Sequence, residues 1–137
     1  MSTFDIFTQL PLFKEIEKDV LFSLVPKISL DFEHFQEKDL LFAYHSPING
    51  LVYLLQGQAC LKDESGENIL TGPTLLSWTG VFGEQKAHTS EATALTACST
   101  LTVDRRSLVY LIRTEPAFLE AYLGMLSDAL FSIPSPH

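Results

Sequence analysis

His88 stands four residues after Glu84 with Lys86 between them, so this short stretch holds a carboxylate, an ammonium and an imidazole that could contact a ligand. Lys86 could hold an anion as a point charge, and His88 could do so when protonated. Glu84 and His88 could also touch a metal ion, but a lone loop histidine is ordinarily solvated and a metal site needs three or four convergent ligands. His34 and His45 fall in separate strands or turns with no His-x-His pattern, which argues against a cupin-like metalloenzyme. Trp78, ahead of Thr79-Gly80, reads as a core aromatic in preference to the lid of a pocket. No Gly-x-Ser-x-Gly, phosphate loop, His-Glu-x-x-His or Gly-rich dinucleotide fingerprint occurs. The acidic residues are scattered along polar faces and hairpin tips, as solvated charges are. The chain therefore reads as a binding module, not an enzyme, with no catalytic residue and no cofactor or metal required.

The elements that must carry these residues follow from the spacing of apolar positions. From Phe4 to Val25, Ile6, Phe7, Leu10, Phe13, Ile16 and Leu21 recur at intervals that predict two short helices interrupted by Pro11, with Pro26 closing the second. From Ile28 to Val103 the pattern changes to short β-like runs: Leu30 to His34, Leu40 to Tyr44, Leu51 to Leu55, Ala59 to Leu61, Ile69-Leu70, Thr74 to Trp78, and one run from Ala92 to Val103. Ser46 to Gly50, Gly57 and Asp63 to Glu67 are turn signals between them. Such a series predicts an antiparallel β-roll, which protects its strand edges. Asp104 can cap a helix over Arg105 to Ile112, and Pro116 can open another. That last helix, Ala117 to Leu130, carries two apolar stripes: Phe118, Tyr122, Met125 and Ala129, then Leu119, Leu123, Leu126 and Leu130. One stripe is enough to dock on a sheet, so the excess apolar face predicts a homodimer with Leu119, Leu123 or Leu126 near the axis.

The expected architecture is thus α+β and mainly β, an antiparallel, jelly-roll-like β-roll flanked by helices. One domain spans 1–137, with N-terminal helices in 1–27, the roll in 28–103, C-terminal helices in 104–130 and a tail in 131–137. With 137 residues, 46% of them apolar, the chain can bury one core. Its formal charge of -8 disfavours polyanions, so no direct nucleic-acid contact is expected. No basic stretch precedes an apolar one at the start and no 18-residue apolar run occurs, so a cytoplasmic location without membrane contact is expected. Cys60 and Cys98 lack Cys-x-x-Cys spacing and read as small, inert core residues.

The order of helices, roll and helices, with particular residues in register, resembles the cyclic-nucleotide-binding domain of CRP/FNR-type regulators. Leu10-Pro11-Leu12-Phe13 followed by Leu21 and Leu24 is similar to that family's opening. The segment from Phe35 to Phe42 runs through Leu51 to Gly57 like its strand, turn and strand. Phe82-Gly83-Glu84 matches its Phe-Gly-Glu signature, and Cys98 to Arg105 resembles its strand and helix start. Lys38 and His45 replace two glycines usual in the family's turns, which implies that those turns form without positive φ.

The resemblance implies a ligand site over Phe82, Gly83, Glu84, Lys86, His88 and Thr89, in which Glu84 would hold a ribose hydroxyl. The family's phosphate-holding Arg falls on His88 or, in the other alignment, on Ser90, and the cassette is about half a dozen residues short. A bidentate Arg–phosphate pair is worth about 1.5–3 kcal/mol per bond, so its loss implies binding weaker by at least ~10-fold. The implied function is a regulatory sensor module taking a small-molecule or nucleotide effector, though not cyclic AMP tightly. The alternative is a ligand-free protein–protein interaction domain. CRP/FNR regulators continue from the last helix into a helix-turn-helix, but seven residues after Leu130 cannot supply one. The chain is either a fragment or acts without binding DNA.

Overall fold

Antiparallel pairing organises residues 28–108 into two four-stranded sheets. The computed structural model describes residues 3–78, 80–82 and 87–131. β1 (Leu30–Phe35), β8 (Cys98–Asp104), β3 (Gly50–Gln56) and β6 (Thr74–Ser77) form one sheet in that order. β2 (Leu40–Phe42), β7 (Glu91–Ala94), β4 (Gln58–Asp63) and β5 (Gly66–Thr71) form the other. Leu54, Ala59, Leu76, Ala92, Ala94 and Cys98 make the buried core of this roll, with Phe35 and Phe42 packed against it. The expected α+β roll is therefore present, with helices before and after it.

Two of the corners at which the chain changes sheets, β3 to β4 and β7 to β8, are neighbours. Gly57 joins β3 to β4 at φ +96°, and a Cβ there would come within 2.3 Å of the Ala97 carbonyl oxygen, so only glycine fits. Opposite it, the Gln58 carbonyl accepts hydrogen bonds from the Leu95 and Thr96 N–H groups at 2.8 and 3.3 Å. The Thr96 hydroxyl oxygen accepts from the Gln58 N–H at 3.0 Å. These bonds break the continuous run read over Ala92 to Val103 into β7 and β8, which belong to different sheets. Residues 95–97 contain no Gly or Pro, so no local signal marked the corner.

Two turns also differ from expectation. Lys38 and His45 have φ of 77° and 70°, so the substituted glycine positions keep positive φ. In the first turn the Lys38 N–H reaches the Ala94 carbonyl at 2.8 Å and the Asp39 carboxylate accepts from the Gln36 N–H, also at 2.8 Å. These bonds hold the backbone in a region that L-residues enter at a cost of about 1–2 kcal/mol.

Residues 3–27 and 109–131 belong to a second compact unit. Where two helices were expected, α1 (Thr3–Phe7) and α2 (Lys18–Leu24) are separated by a 3-10 turn at Phe13–Glu15, and Pro26 lies in another at Val25–Lys27. Within this unit the Phe13 ring meets Phe7 edge-on at 4.9 Å and Phe118 at 5.5 Å, an arrangement favoured by the aromatic quadrupole. Asp104 caps α3 (Arg105–Thr114) by accepting from the Ser107 N–H at 2.8 Å, as its position predicted. Pro116 is the first residue of α4 (Pro116–Phe131).

The Lys38 side chain is exposed, so replacing it removes backbone strain and little else. Lys38→Gly is expected to stabilise the protein by about 0.5–1 kcal/mol, the αL penalty less the glycine entropy cost. The urea midpoint should rise at unchanged slope; a lower midpoint would show that the strain argument fails.

Candidate functional site

Register on both edges of β8 lines up three strands' side chains on one face. β1 pairs with β8 through Asp31↔Thr102, Glu33↔Thr100 and Phe35↔Cys98, and β3 pairs with it through Val52↔Thr102 and Leu54↔Thr100. Directly opposed residues share a face. Asp31, Thr102 and Val52 therefore form one row, and Glu33, Thr100 and Leu54 the next. The opposite face of β8 carries Leu101 and Val103, both fully buried.

The first face forms one wall of a cleft of about 410 Å3, to which β2 contributes Leu40 to Phe42, and Ser46, Pro47, Asn49 and His88 the remainder. That volume lies in the range of small-molecule sites, about 300–1,000 Å3. The wall grades from the exposed carboxylates of Asp31 and Glu33 to half-buried Phe35 and buried Thr100. Desolvation, then the charge of Asp31 and a hydrogen bond to it, raise the Glu33 pKa above its ordinary value.

His88 is positioned by its backbone. Its N–H donates to the Ser46 carbonyl at 2.8 Å, and its carbonyl accepts from the His45 N–H at 2.9 Å. The positive φ of His45 turns the chain so that residues 45 and 46 clamp His88 from both sides. The imidazole stacks on Phe42 with ring centroids 4.0 Å apart and planes 18° from parallel. His88 is 6% exposed and Thr100 4%. Among the described residues neither side chain makes a hydrogen bond, yet no buried polar side-chain atom is sealed without a partner. The His88 and Thr100 polar atoms therefore open onto the cleft they line.

Of the six residues assigned to the ligand site, Gly83, Glu84 and Lys86 lie outside the described residues. His88 is a cleft residue, buried where a loop histidine was expected to be solvated, because the bridge between Pro47 and Ala87 folds this segment onto the roll. Phe82 is exposed, with the Arg105 guanidinium 5.4 Å from its ring centroid, and Thr89 is exposed outside the cleft lining. Asp31, Glu33, Thr100 and Thr102 were missed. Asp31 and Glu33 read as a solvated polar face, and the alternation with Leu30 and Phe32 does place them together, but only the pairing with β8 shows which face borders the cleft.

His34 donates or accepts at Nδ1 with the Ser99 hydroxyl at 3.0 Å, and the His45 ring meets Tyr44 edge-on. No three potential metal ligands come together among the described residues. Cys60 and Cys98 are free thiols, and Cys98 is buried, its pKa raised by burial. Trp78 is half-buried at the end of β6, not in the core as expected.

Solved structures of regulators share this architecture. The sensor domain of the transcriptional regulator DNR from Pseudomonas aeruginosa aligns with a TM-score of 0.79 at 14% identity, covering 94% of each chain. The fold is that of CRP/FNR-type sensor domains. The N-terminal domain of a transcriptional regulator from Streptomyces coelicolor A3(2) matches this fold with a TM-score of 0.68 at 23% identity, over 93% of this chain and 91% of its own. A protein from Geobacter metallireducens GS-15 assigned as cyclic-nucleotide-binding gives 0.73 at 15% identity, over 96% and 98%. No protein-family model and no curated protein sequence matches the chain.

Burial holds the His88 pKa below its ordinary value of 6.5. The folded protein binds this proton less tightly than the unfolded chain, so the associated stability is present above that value and lost as pH falls toward and through the lower folded pKa. Glu33, with a raised pKa, acts in the opposite sense at lower pH and is common to both proteins in a comparison. Wild type is expected to lose stability relative to His88→Gln when urea unfolding is repeated from about pH 7.5 to 5; parallel curves would refute a buried neutral imidazole.

Proposed function

We propose that the chain is an effector-sensing module of a regulatory protein, with the roll cleft as its effector site and α4 as its dimer interface. The observation that carries this reading is the likeness to a regulator's sensor domain over 94% of both chains. The cleft, with the open polar groups of Thr100 and His88, favours a ligand-binding role over a ligand-free interaction domain. The Pseudomonas aeruginosa and Streptomyces coelicolor structures it resembles come from transcriptional regulators, which supports a non-catalytic role. A net charge of -8 supports a role without direct nucleic-acid contact. No helix among the described residues is long and apolar enough to cross a membrane.

The cleft chemistry supports weak cyclic-nucleotide binding. Among the described residues its lining holds two carboxylates and no Lys or Arg, and His88, in the aligned Arg position, is biased to its neutral form. Cyclic AMP and cyclic GMP are expected to bind with constants weaker than about 100 μM. Isothermal titration at neutral pH checks this, and a low-micromolar constant would refute it.

Dimerisation rests on the second apolar stripe of α4. Phe118 and Tyr122 are buried, whereas Leu123 is 53% exposed and Leu119 and Leu126 are half-buried beside it. Covering several such side chains from a second copy offers a few kcal/mol at about 25 cal/mol per Å2 before association costs. A two-fold dimer is expected in sedimentation at tens of micromolar protein, and Leu123→Glu should convert it to monomer. A wild-type monomer would refute dimerisation, and a dimer surviving the substitution would refute this interface.

A further inference from the structure

We propose that the roll cleft selects a small organic cation, a protonated amine on an apolar body, and disfavours anions. This deepens the reading of the cleft as an effector site and rests on it. Asp31 and Glu33 stand two residues apart on one face of β1 and, among the described residues of the lining, supply the formal charges, both negative. An anion entering there would meet like charge, whereas an ammonium would relieve the repulsion between the two carboxylates. The Thr100 and Thr102 hydroxyls opposite them, and a His88 ring nitrogen in the same lining, can accept further N–H donors, and Thr100 and His88 are more than nine-tenths buried without a side-chain hydrogen bond. The same cleft is lined by the apolar side chains of Phe35, Leu41 and Val52, and the Phe42–His88 stack presents flat rings. A ligand carrying both a positive charge and an apolar body uses both kinds of lining at once, since burial of the body adds to the charge-assisted bonds with the carboxylates.

A matched set of fragments separates charge from shape: phenethylamine as cation, 2-phenylethanol as neutral and 3-phenylpropanoate as anion. Binding to the full chain is followed by backbone amide NMR shifts, which also report location. Phenethylamine is expected to shift Thr100 and Thr102 with a constant of about millimolar or tighter, as suits a fragment of this size. The anion should bind at least ~10-fold more weakly, and the double variant Asp31→Asn, Glu33→Gln should lose about 10-fold for the amine. Both substituted side chains are exposed, so the variant should stay folded, and its amide spectrum shows whether it does. Equal amine binding by wild type and a folded double variant overturns cation selection. So does a preference for the alcohol or the anion, which would leave an effector cleft of different chemistry. If none of the three shifts cleft residues at about 10 mM, the effector-site reading falls together with the inference.

Discussion

Strand β8 is bonded on both edges, to β1 and to β3, and the register of those two ladders decides what each face of the sheet presents. Side chains alternate along a strand, so a slip by one residue would turn Leu101 and Val103 into the cleft and carry Thr100 and Thr102 out of it. Burial opposes that slip strongly, because both apolar residues are fully buried where they stand. The polar rows of the cleft are therefore a consequence of the apolar face behind them. At its end the same strand supplies Asp104, whose carboxylate caps α3, so its length also sets where the helix begins.

Two of the roll's corners lie against each other. Gly57 permits the close approach, and Gln58 uses its carbonyl and amide to hold residues 95 and 96, while the buried Cys98 thiol donates to that carbonyl at 3.2 Å. Each corner satisfies backbone groups that the sheet ladder leaves open as it ends. A third device, the positive φ of His45, serves the cleft directly, since it aims the bonds that clamp His88. Conformations that cost energy locally are thus sustained by hydrogen bonds to distant parts of the chain.

Electrostatics separates this cleft from one suited to a phosphate. A guanidinium would offer a permanent fork of donors, whereas His88 offers a buried ring that gives up its proton easily. The carboxylates at the mouth push in the same direction, and the Glu33 pKa is raised by desolvation first and then by the charge of Asp31. Fold and ligand chemistry are accordingly separable here, as sites grafted on a shared architecture generally are.

Much of the architecture was legible in the residues themselves: the change from helical to strand spacing near Ile28, the hairpin at Asp63, the cap at Asp104 and the helix start at Pro116 all depend on local periodicity or a single side chain. Asp63 accepts from the Ser65 and Gly66 N–H groups, as a hairpin tip should. The corner at residues 95–97, the positive φ of Lys38 and His45, and the burial of His88 were not legible, because each is imposed by a partner far away in sequence. The cleft belongs to the same class. Alternation alone puts Asp31 and Glu33 on one face of a strand, but which face borders a cavity, and that Thr100 and Thr102 join them there, depends on pairing across some seventy residues of chain. Sequence by itself determined the order and kind of the elements, since those follow from nearest-neighbour sterics and apolar spacing. Only the tertiary structure decided the site, since convergence of side chains is a property of long-range register.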